Sequence, residues 1–257
     1  MKKLLKSLFI NSLGSFCTPA NGVHIINSHY LSKDTSKVEN ARALEKKLKH
    51  LLNYGDIISL PKAVQLINDQ GQNGNNDKYF SLTFDDGFEE CYTLISPVFD
   101  RLDLKATFFI NANYIDSNQE YQNEFNRRIH NSKKRPMSWD QVTKLNDAGF
   151  LIGSHTLDHF DLSMLNTDEL EYQIARNNEI IKNKLATEVD YFAWPYGNFN
   201  SFPDAAFEIS KKYHKYIFSG TNYKYYFSKQ GKIINRRHLE PFWPISYFNY
   251  FLSSKKK

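Results

Sequence analysis

Two groups of chemically capable side chains follow strand-like runs. The aromatic and β-branched run Tyr79–Phe84 predicts a buried strand and stops at the adjacent carboxylates of Asp85 and Asp86. A second strand-like run, further along the chain, ends at His155 and His159. Adjacent acids repel each other and lose hydration, a cost that a bound cation relieves. One carboxylate and two imidazoles make a three-ligand set for zinc or another divalent ion with a position open for water, and the second carboxylate is free to act as a base.

The elements around these groups alternate between strand and helix patterns. We predict strands at 23–28, 56–60, 79–84, 106–111, 150–154, 189–194, 215–219 and, last, 233–234. We predict helices at 38–52, at 61–67, from the aspartates to about 102, from a cap at Ser138 to 148, at 168–185 capped by Thr167, and at 202–213, with an insertion at 113–135. Alternation of this kind indicates a parallel α/β sheet that closes, or nearly closes, into a barrel. The candidate groups then meet at one mouth, because they follow the carboxyl ends of strands.

Composition and charge narrow the function and divide the chain. The 257 residues carry a net charge of +5, and lysines cluster at both ends. Basic residues form no stripe interleaved with aromatic ones, which argues against nucleic-acid binding. We divide the chain into an amphipathic N-terminal segment (1–21), a catalytic domain (22–245) and a basic C-terminal tail (246–257). Cys17 and Cys91 are too few and too far apart for a disulfide framework.

The N-terminal segment bears on location. Its leucines recur at helical spacing behind lysines, a pattern that favours peripheral contact with an anionic membrane surface. Lys6 and Asn11 interrupt the apolar centre that an export signal needs, and no run approaches the ~20 apolar residues of a membrane span. We therefore expect a cytoplasmic protein that rests on the membrane through this segment; an atypical export signal is the alternative.

Three motifs in order resemble those of the polysaccharide deacetylase family, also called the NodB-homology or carbohydrate esterase 4 family. T-F-D-D-G stands at Thr83–Gly87 and H-T-L-D-H at His155–His159. F-A-W-P-Y-G stands at Phe192–Gly197 and matches a subset of the family with an aromatic residue before the proline. The opening strand, ending at His29-Tyr30, is also similar. The resemblance covers roughly residues 22 to 240 and implies a distorted (β/α) barrel of about seven parallel strands.

The resemblance implies a metal-dependent hydrolase that removes N-acetyl groups from an amino sugar of a polysaccharide or lipid-linked saccharide in surface-polysaccharide assembly. It makes Asp85 the general base and metal-bound water the nucleophile. The backbone N–H of Tyr196, with the metal, would hold the oxyanion, and Pro195 and Trp194 would help to bind substrate. The implied metal ligands are Asp86, His155 and His159.

Departures from the family pattern leave the catalytic machinery incomplete. Ala193 stands where the commoner motif has the arginine that orients the base, so we consider Arg236 or Arg237 as its replacement. The family's closing leucine-x-histidine motif is missing, and His238, at the wrong spacing, is the candidate general acid. These losses support an alternative: a weak or inactive metal-containing saccharide-binding protein of the same fold. The oligomeric state, the sugar and the native metal stay open.

Overall fold

The parallel strands form a sheet that curls into a ring, and a single residue links the two strands where the ring closes. The computed structural model describes residues 2–69, 77–131 and 133–257, with side chains from residue 7 onward. The parallel pairing runs β1-β3-β4-β5-β6-β7-β9, and β10 pairs with β1. Only Arg236 separates β9 from β10, so the chain itself closes the ring. The described strands are β1 (Gly22–Ser28), β2 (Asp56–Ile57), β3 (Lys78–Phe84), β4 (Thr107–Ile110), β5 (Leu151–Ser154), β6 (Tyr191–Ala193), β7 (Tyr216–Ser219), β8 (Phe227–Ser228), β9 (Ile233–Asn235) and β10 (Arg237–His238).

Helices surround this sheet. The described α-helices are α1 (Lys2–Gly14), α2 (Val38–Leu52), α3 (Leu60–Asp69), α4 (Ser96–Arg101), α5 (Gln119–Arg128), α6 (Trp139–Asp147), α7 (Thr167–Leu185), α8 (Asp204–Tyr213) and α9 (Ile245–Leu252). A π-helical turn, Cys91–Ile95, leads into α4. The α2 boundaries are those predicted, and its apolar stripe is buried. The predicted cap of α6 is confirmed, since Ser138 Oγ accepts from the N–H of Gln141 at 3.2 Å and Gln141 Oε1 accepts from the N–H of Ser138 at 3.0 Å. No described helix combines the length and apolar composition that a bilayer crossing needs.

Several predicted boundaries are wrong for local reasons. Helix α7 is capped by Asn166, not Thr167, because the Asn166 side chain accepts from the N–H of Glu169 and completes a capping box. The predicted strand 56–60 ends at Ile57 because α3 begins at Leu60. The predicted insertion 113–135 contains α5.

The C-terminal end is more structured than predicted. The strand 233–234 is not the last, since β10 follows it. Residues 246–257 include most of α9, and Lys256 is buried with its Nζ donating to the Asn235 carbonyl. The domain boundaries at residues 21 and 245 stay predictions.

Strand alternation separates two sides of the curled sheet. One set of alternate strand residues, including Ile25, Phe109 and Phe218, packs with α3 in a single apolar cluster. The other set, including Phe84 and Phe108, packs under α2, α4 and α6. Successive side chains of a strand point to opposite faces. Polar residues that directly continue the first set beyond a strand end, such as Asp85 after β3 and His155 after β5, therefore point to the mouth.

Candidate active site

Asp86, His155 and His159 meet at the carboxyl ends of β3 and β5. The Nε2 atoms of His155 and His159 lie 3.4 Å and 3.2 Å from Asp86 Oδ1, and all three residues are buried. His155 Nδ1 donates to the Ala193 carbonyl at 2.7 Å, which leaves the Nε2 atom of the same ring facing Asp86. The structure thus brings together three side chains that are spread over 73 positions of the chain, from 86 to 159.

These residues fit a divalent metal ion. Asp86 Oδ1 is buried and has no hydrogen-bond partner among the described residues. Its potential ligand atom and those of the two histidines all lie within 4.8 Å of one another. Burial opposes ionisation of Asp86, but the neighbouring His159 and His155 hold its pKa far below its usual value. Burial lowers the pKa of His159, which favours the neutral, ligating form. An ionised oxygen facing two imidazole nitrogens is the donor set of a zinc-type site.

Left-handed backbone is concentrated at this site. Asp86, Thr156, His159 and Tyr196 have φ angles of 78°, 65°, 58° and 64°. Such angles are uncommon outside glycine, and a β-branched residue such as Thr156 is a particular outlier. Strained backbone persists only where surrounding contacts fix it, and it clusters at functional sites. The turn from His155 to His159 is therefore held in a conformation that its own residue types do not favour.

Buried amides hold the first half of that turn. Asn111 Nδ2 donates to the carbonyls of His155 (2.5 Å) and Thr156 (2.8 Å). Asn177, from α7, donates to Ser154 Oγ at 2.9 Å and accepts from the N–H of Ala112 at 2.7 Å. Both asparagines are fully buried. Sequence reasoning missed them, although an asparagine in the apolar stripe of α7 was an available signal.

Asp158 stabilises the second half of the turn from His155 to His159. Its carboxylate accepts from Gln173 Nε2 at 2.6 Å, from Asn113 Nδ2 at 2.8 Å and from the Tyr121 hydroxyl. Arg128 donates to the Asp158 carbonyl. The Asp158 carboxylate is therefore engaged by these neighbours rather than by the candidate metal ligands, and it positions the adjacent His159.

Asp85 is gripped by Arg236. The guanidinium donates from Nη1 to Oδ1 and from Nη2 to Oδ2, both at 2.8 Å, and each side chain is at most 3% exposed. Arg236 is itself fixed by Thr83 Oγ1 (2.9 Å) and the Ser219 carbonyl (3.0 Å). Burial opposes ionisation of Asp85, but the Arg236 charge lowers its pKa below the usual value.

Arg237, the other predicted orienting residue, lies elsewhere. As the next residue along the chain it points to the opposite side of the sheet. Its guanidinium donates to the Phe251 carbonyl and to Ser254. Of the two candidates, only Arg236 reaches Asp85.

The loop after β6 contributes one residue to the mouth. The Tyr196 ring is 43% exposed and lies 5.0 Å from the His159 ring. Trp194, predicted to help bind substrate, is fully buried and stacks on Phe202 at 4.1 Å, because its side chain leaves the outer side of β6. Pro195 is also buried, and its carbonyl accepts from Ser201 Oγ at 3.2 Å. The Trp194 and Pro195 side chains therefore support the loop and do not line the mouth.

A second polar cluster lies beside the first. Glu240 Oε1 accepts from His29 Nδ1 at 2.6 Å and from His238 Nε2 at 2.8 Å, and the two rings meet edge to face at 5.3 Å. Burial alone would lower the pKa of His29, but Glu240 raises it to about 10, with a further contribution from Asp86 and Asp85. Burial would raise the pKa of Glu240, but the two imidazoles lower it to about 2. His238, the predicted acid, thus shares a carboxylate with His29, and sequence reasoning missed the role of Glu240.

These three residues could also ligate a metal, since their ligand atoms lie within 4.8 Å of one another. The Glu240 oxygen, however, already accepts from both rings, whereas Asp86 Oδ1 has no partner. The Asp86 site therefore fits a cation better.

A curled parallel barrel with a candidate three-ligand metal site and an adjacent aspartate at its mouth is an arrangement suited to metal-assisted hydrolysis. The family model for polysaccharide deacetylase matches residues 72–214. The chain belongs to the polysaccharide deacetylase family.

Individual relatives agree with this assignment. Peptidoglycan-N-acetylglucosamine deacetylase of Bacillus cereus is 29% identical over 125 residues, which are 48% of this chain and 38% of that protein. The matched segments span from 21% to 57% of the lengths of the curated relatives found, so those proteins contain further regions.

Solved structures share the fold. IcaB from Ammonifex degensii has a TM-score of 0.68 and 18% identity, covering 93% of this chain and 100% of that one. The deacetylase PplD of Streptococcus pyogenes, in complex with acetate, has a TM-score of 0.67 and 16% identity, covering 90% and 97%. The predicted NodB-like barrel is therefore confirmed.

Proposed function

We propose that the protein is a metal-dependent N-deacetylase of an acetylated amino sugar in a polysaccharide or a lipid-linked saccharide. The observation that carries this proposal is the position of Asp85, held by Arg236 next to the Asp86–His155–His159 set. The family and the Bacillus cereus relative, named for an N-acetylglucosamine deacetylase, support the substrate class.

Asp86, His155 and His159 would hold the ion, zinc or another divalent metal. When bound there, such an ion polarises a carbonyl and lowers the pKa of coordinated water toward ~7. The hydrogen bond from His155 Nδ1 to the Ala193 carbonyl fixes the ring orientation that ligation requires. This use of Ala193 involves only its backbone, so the position needs no long side chain.

The side chains around this set would divide the remaining work. Asp85 stays ionised because Arg236 lowers its pKa, so it can accept a proton from the attacking water. Arg236 fixes both Asp85 oxygens and aims the carboxylate. The backbone N–H of Tyr196 would donate to the developing oxyanion.

Protonation of the leaving amine is assigned to the histidine pair on Glu240. We favour His29 over the predicted His238, because His29 directly follows Ser28, which pairs with Phe84, and so stands beside Asp85 at the ends of neighbouring strands. Asp85 and Asp86 add to the effect of Glu240 in raising the pKa of His29. His29 is thus kept protonated next to the reacting groups, and Glu240 fixes its ring.

The saccharide-binding alternative drew on the missing orienting arginine. Arg236 now occupies that role geometrically, which favours the enzyme. Acetate release from a panel of N-acetylated oligosaccharides, with and without chelation, separates the two functions. Release that stops on chelation and returns with added zinc supports the enzyme; metal uptake and saccharide binding without any release supports the alternative.

Two variants test the division of roles at the adjacent aspartates. Asp86→Ala should lose bound metal, measured by elemental analysis, because one of three ligands is gone. Asp85→Asn should keep the metal and lose turnover by about 100-fold or more, since a general base contributes about that much. Asp140→Asn, on the exposed side of α6, is the matched control and should change neither. Full metal occupancy in Asp86→Ala, or undiminished turnover in Asp85→Asn, contradicts the assignment.

A further inference from the structure

The outer face of α1 and the residues just after it are apolar and uncovered. We define this outer face as Leu8, Phe9, Leu13 and Phe16, which are 58%, 58%, 41% and 89% exposed. Leu8, Phe9 and Leu13 lie on one side of α1, and Phe16 is in the turn that follows the helix. A helix on a globular protein normally turns such a stripe toward the core. A contiguous exposed patch of large apolar side chains marks an interaction site.

Among the residues with described side chains, the inner face of α1 buries one large apolar residue, Ile10, and is otherwise polar or small. Asn11 Oδ1 accepts from Ser246 Oγ at 2.6 Å, and Ser7 Oγ accepts from the Tyr247 hydroxyl at 2.9 Å. A Cβ added to Gly14 would lie 1.9 Å from the Ser246 carbonyl oxygen, so the glycine allows the two helices to approach closely. These directional contacts with α9 fix which side of α1 faces out.

The segments that form this face and hold it in place contain no acidic residue. Residues 1–33 contain no Asp or Glu, and neither do residues 241–257. Lys2, Lys3 and Lys6 belong to the same helix as the outer face. An apolar stripe beside lysines and without acidic residues matches the composition of helices that lie in the interface of an anionic bilayer.

We propose that the outer face of α1 docks on an anionic lipid surface. The face supplies apolar area for the acyl boundary, and the lysines supply attraction to the headgroups. A second copy of the chain is a poorer occupant, because pairing two such faces would bring two sets of lysines together with no acidic residue of either segment between them.

Docking would also place the mouth near the lipid. The segment from Glu240 to α9 carries Phe242 and Trp243; Phe242 stacks on Tyr30 at 5.8 Å, and Trp243 lies 5.2 Å from the His238 ring. The helix that holds α1 in place is thus directly continuous with the edge of the candidate active site. A lipid-linked saccharide would then be presented to the mouth without leaving the membrane; this last consequence rests on the proposed function.

Vesicle sedimentation of the full chain tests the docking. We expect binding to vesicles of equal parts phosphatidylcholine and phosphatidylglycerol, little binding to phosphatidylcholine alone, and weakening as salt rises from about 0.1 M to about 1 M. The double variant Phe9→Ser/Phe16→Ser should bind at least about tenfold more weakly, because two large apolar side chains are lost from the contact. Its acetate release from a soluble oligosaccharide should be unchanged, so failure of docking and failure of the proposed function are distinguishable.

Met164→Ser/Tyr172→Ser is the matched control, since those apolar side chains are 81% and 59% exposed but lie outside the outer face. Equal loss in the control, no binding to the anionic vesicles, or binding independent of lipid charge overturns the proposal. So does a wild-type dimer that the Phe9→Ser/Phe16→Ser variant converts to monomer, because a second copy would then be the occupant. If the variant fails to fold, the lipid and salt dependence of the wild type decides alone.

Discussion

Arg236 binds both oxygens of Asp85 and is fixed in turn by Thr83 and Ser219. A lysine at this position would keep the charge but lose the planar two-point grip. We therefore expect Arg236→Lys to lower kcat about 10- to 100-fold while the metal content stays the same. Steady-state acetate release and elemental analysis check both parts.

Arg237→Lys is the neighbouring control. That guanidinium contacts the C-terminal segment and not Asp85, so its substitution should lower Tm and leave kcat within about twofold. Equal losses of kcat in the two variants would count against a specific role for Arg236.

Glu240 sets the charge state of His29. Burial alone lowers the pKa of His29, and Glu240 raises it from the usual 6.5 to about 10. Glu240→Gln should therefore let His29 lose its proton at a lower pH. We expect the alkaline limb of the kcat/KM profile to move toward acid by about one pH unit or more, with the loss growing as pH rises. An unmoved alkaline limb would exclude His29 as the acid.

The same pair makes stability depend on pH. The folded pKa of His29 is raised, so its contribution is complete below pH 6.5 and fades as pH rises toward about 10. The folded pKa of Glu240 is lowered to about 2 from 4.5, so its contribution is complete above pH 4.5 and is lost as pH falls toward about 2. The Tm advantage of the wild type over Glu240→Gln should thus be largest between pH 4.5 and 6.5. A pH-independent difference in thermal unfolding would show that the pair is not coupled.

At the scale of elements, α7 ends on a residue type poorly suited to its backbone. Ala186 follows the helix in the left-handed region at φ 50° and is exposed. Glycine adopts that conformation without the Cβ penalty. Ala186→Gly should stabilise the protein by about 1 kcal/mol, which raises Tm by ~2–4 °C for a chain of this size.

Ala175→Gly, in the interior of the same helix, makes the comparison specific. There the substitution should destabilise by about 1 kcal/mol, since glycine loses more conformational freedom and Ala175 is already helical. Thermal unfolding of both variants checks the opposite signs; a fall in Tm for both would refute the account of α7.

How much of the site was predictable depends on what each element reveals locally. Asp85, Asp86 and His155 stand immediately after strand-like runs and His159 in the turn that follows, so their convergence followed from parallel topology. The choice between adjacent residues did not follow. A shift of one residue moves a side chain to the other face of a strand. Composition alone does not show which of Arg236 and Arg237 faces the mouth. Trp194 was misplaced for the same reason.

Contacts between residues far apart in the chain could not be predicted from local sequence patterns. Glu240 contacts His29 across 211 positions, and neither residue lies in a periodic run that points to the other. Asn111 and Asn177 matter through the backbone groups that they bind, and a local sequence pattern does not show which backbone groups a side chain will meet. The fold class was predictable because alternating strands and helices constrain topology strongly, whereas side-chain networks depend on register and on loops.

For the whole molecule, the single-residue junction between β9 and β10 implies that the ring closes late in folding. Just after β10, the Ser28 hydroxyl donates to the Leu239 carbonyl, and the two residues are 211 positions apart. Contacts between such distant residues form slowly, because the chain loses conformational entropy before the contact can stabilise the fold. The candidate metal ligands follow β3 and β5, which are bridged by β4, so their approach depends on strands that are closer along the chain. We expect a chain arrested before ring closure to sequester a cation and hydrolyse nothing, because Arg236 and Glu240 would arrive last.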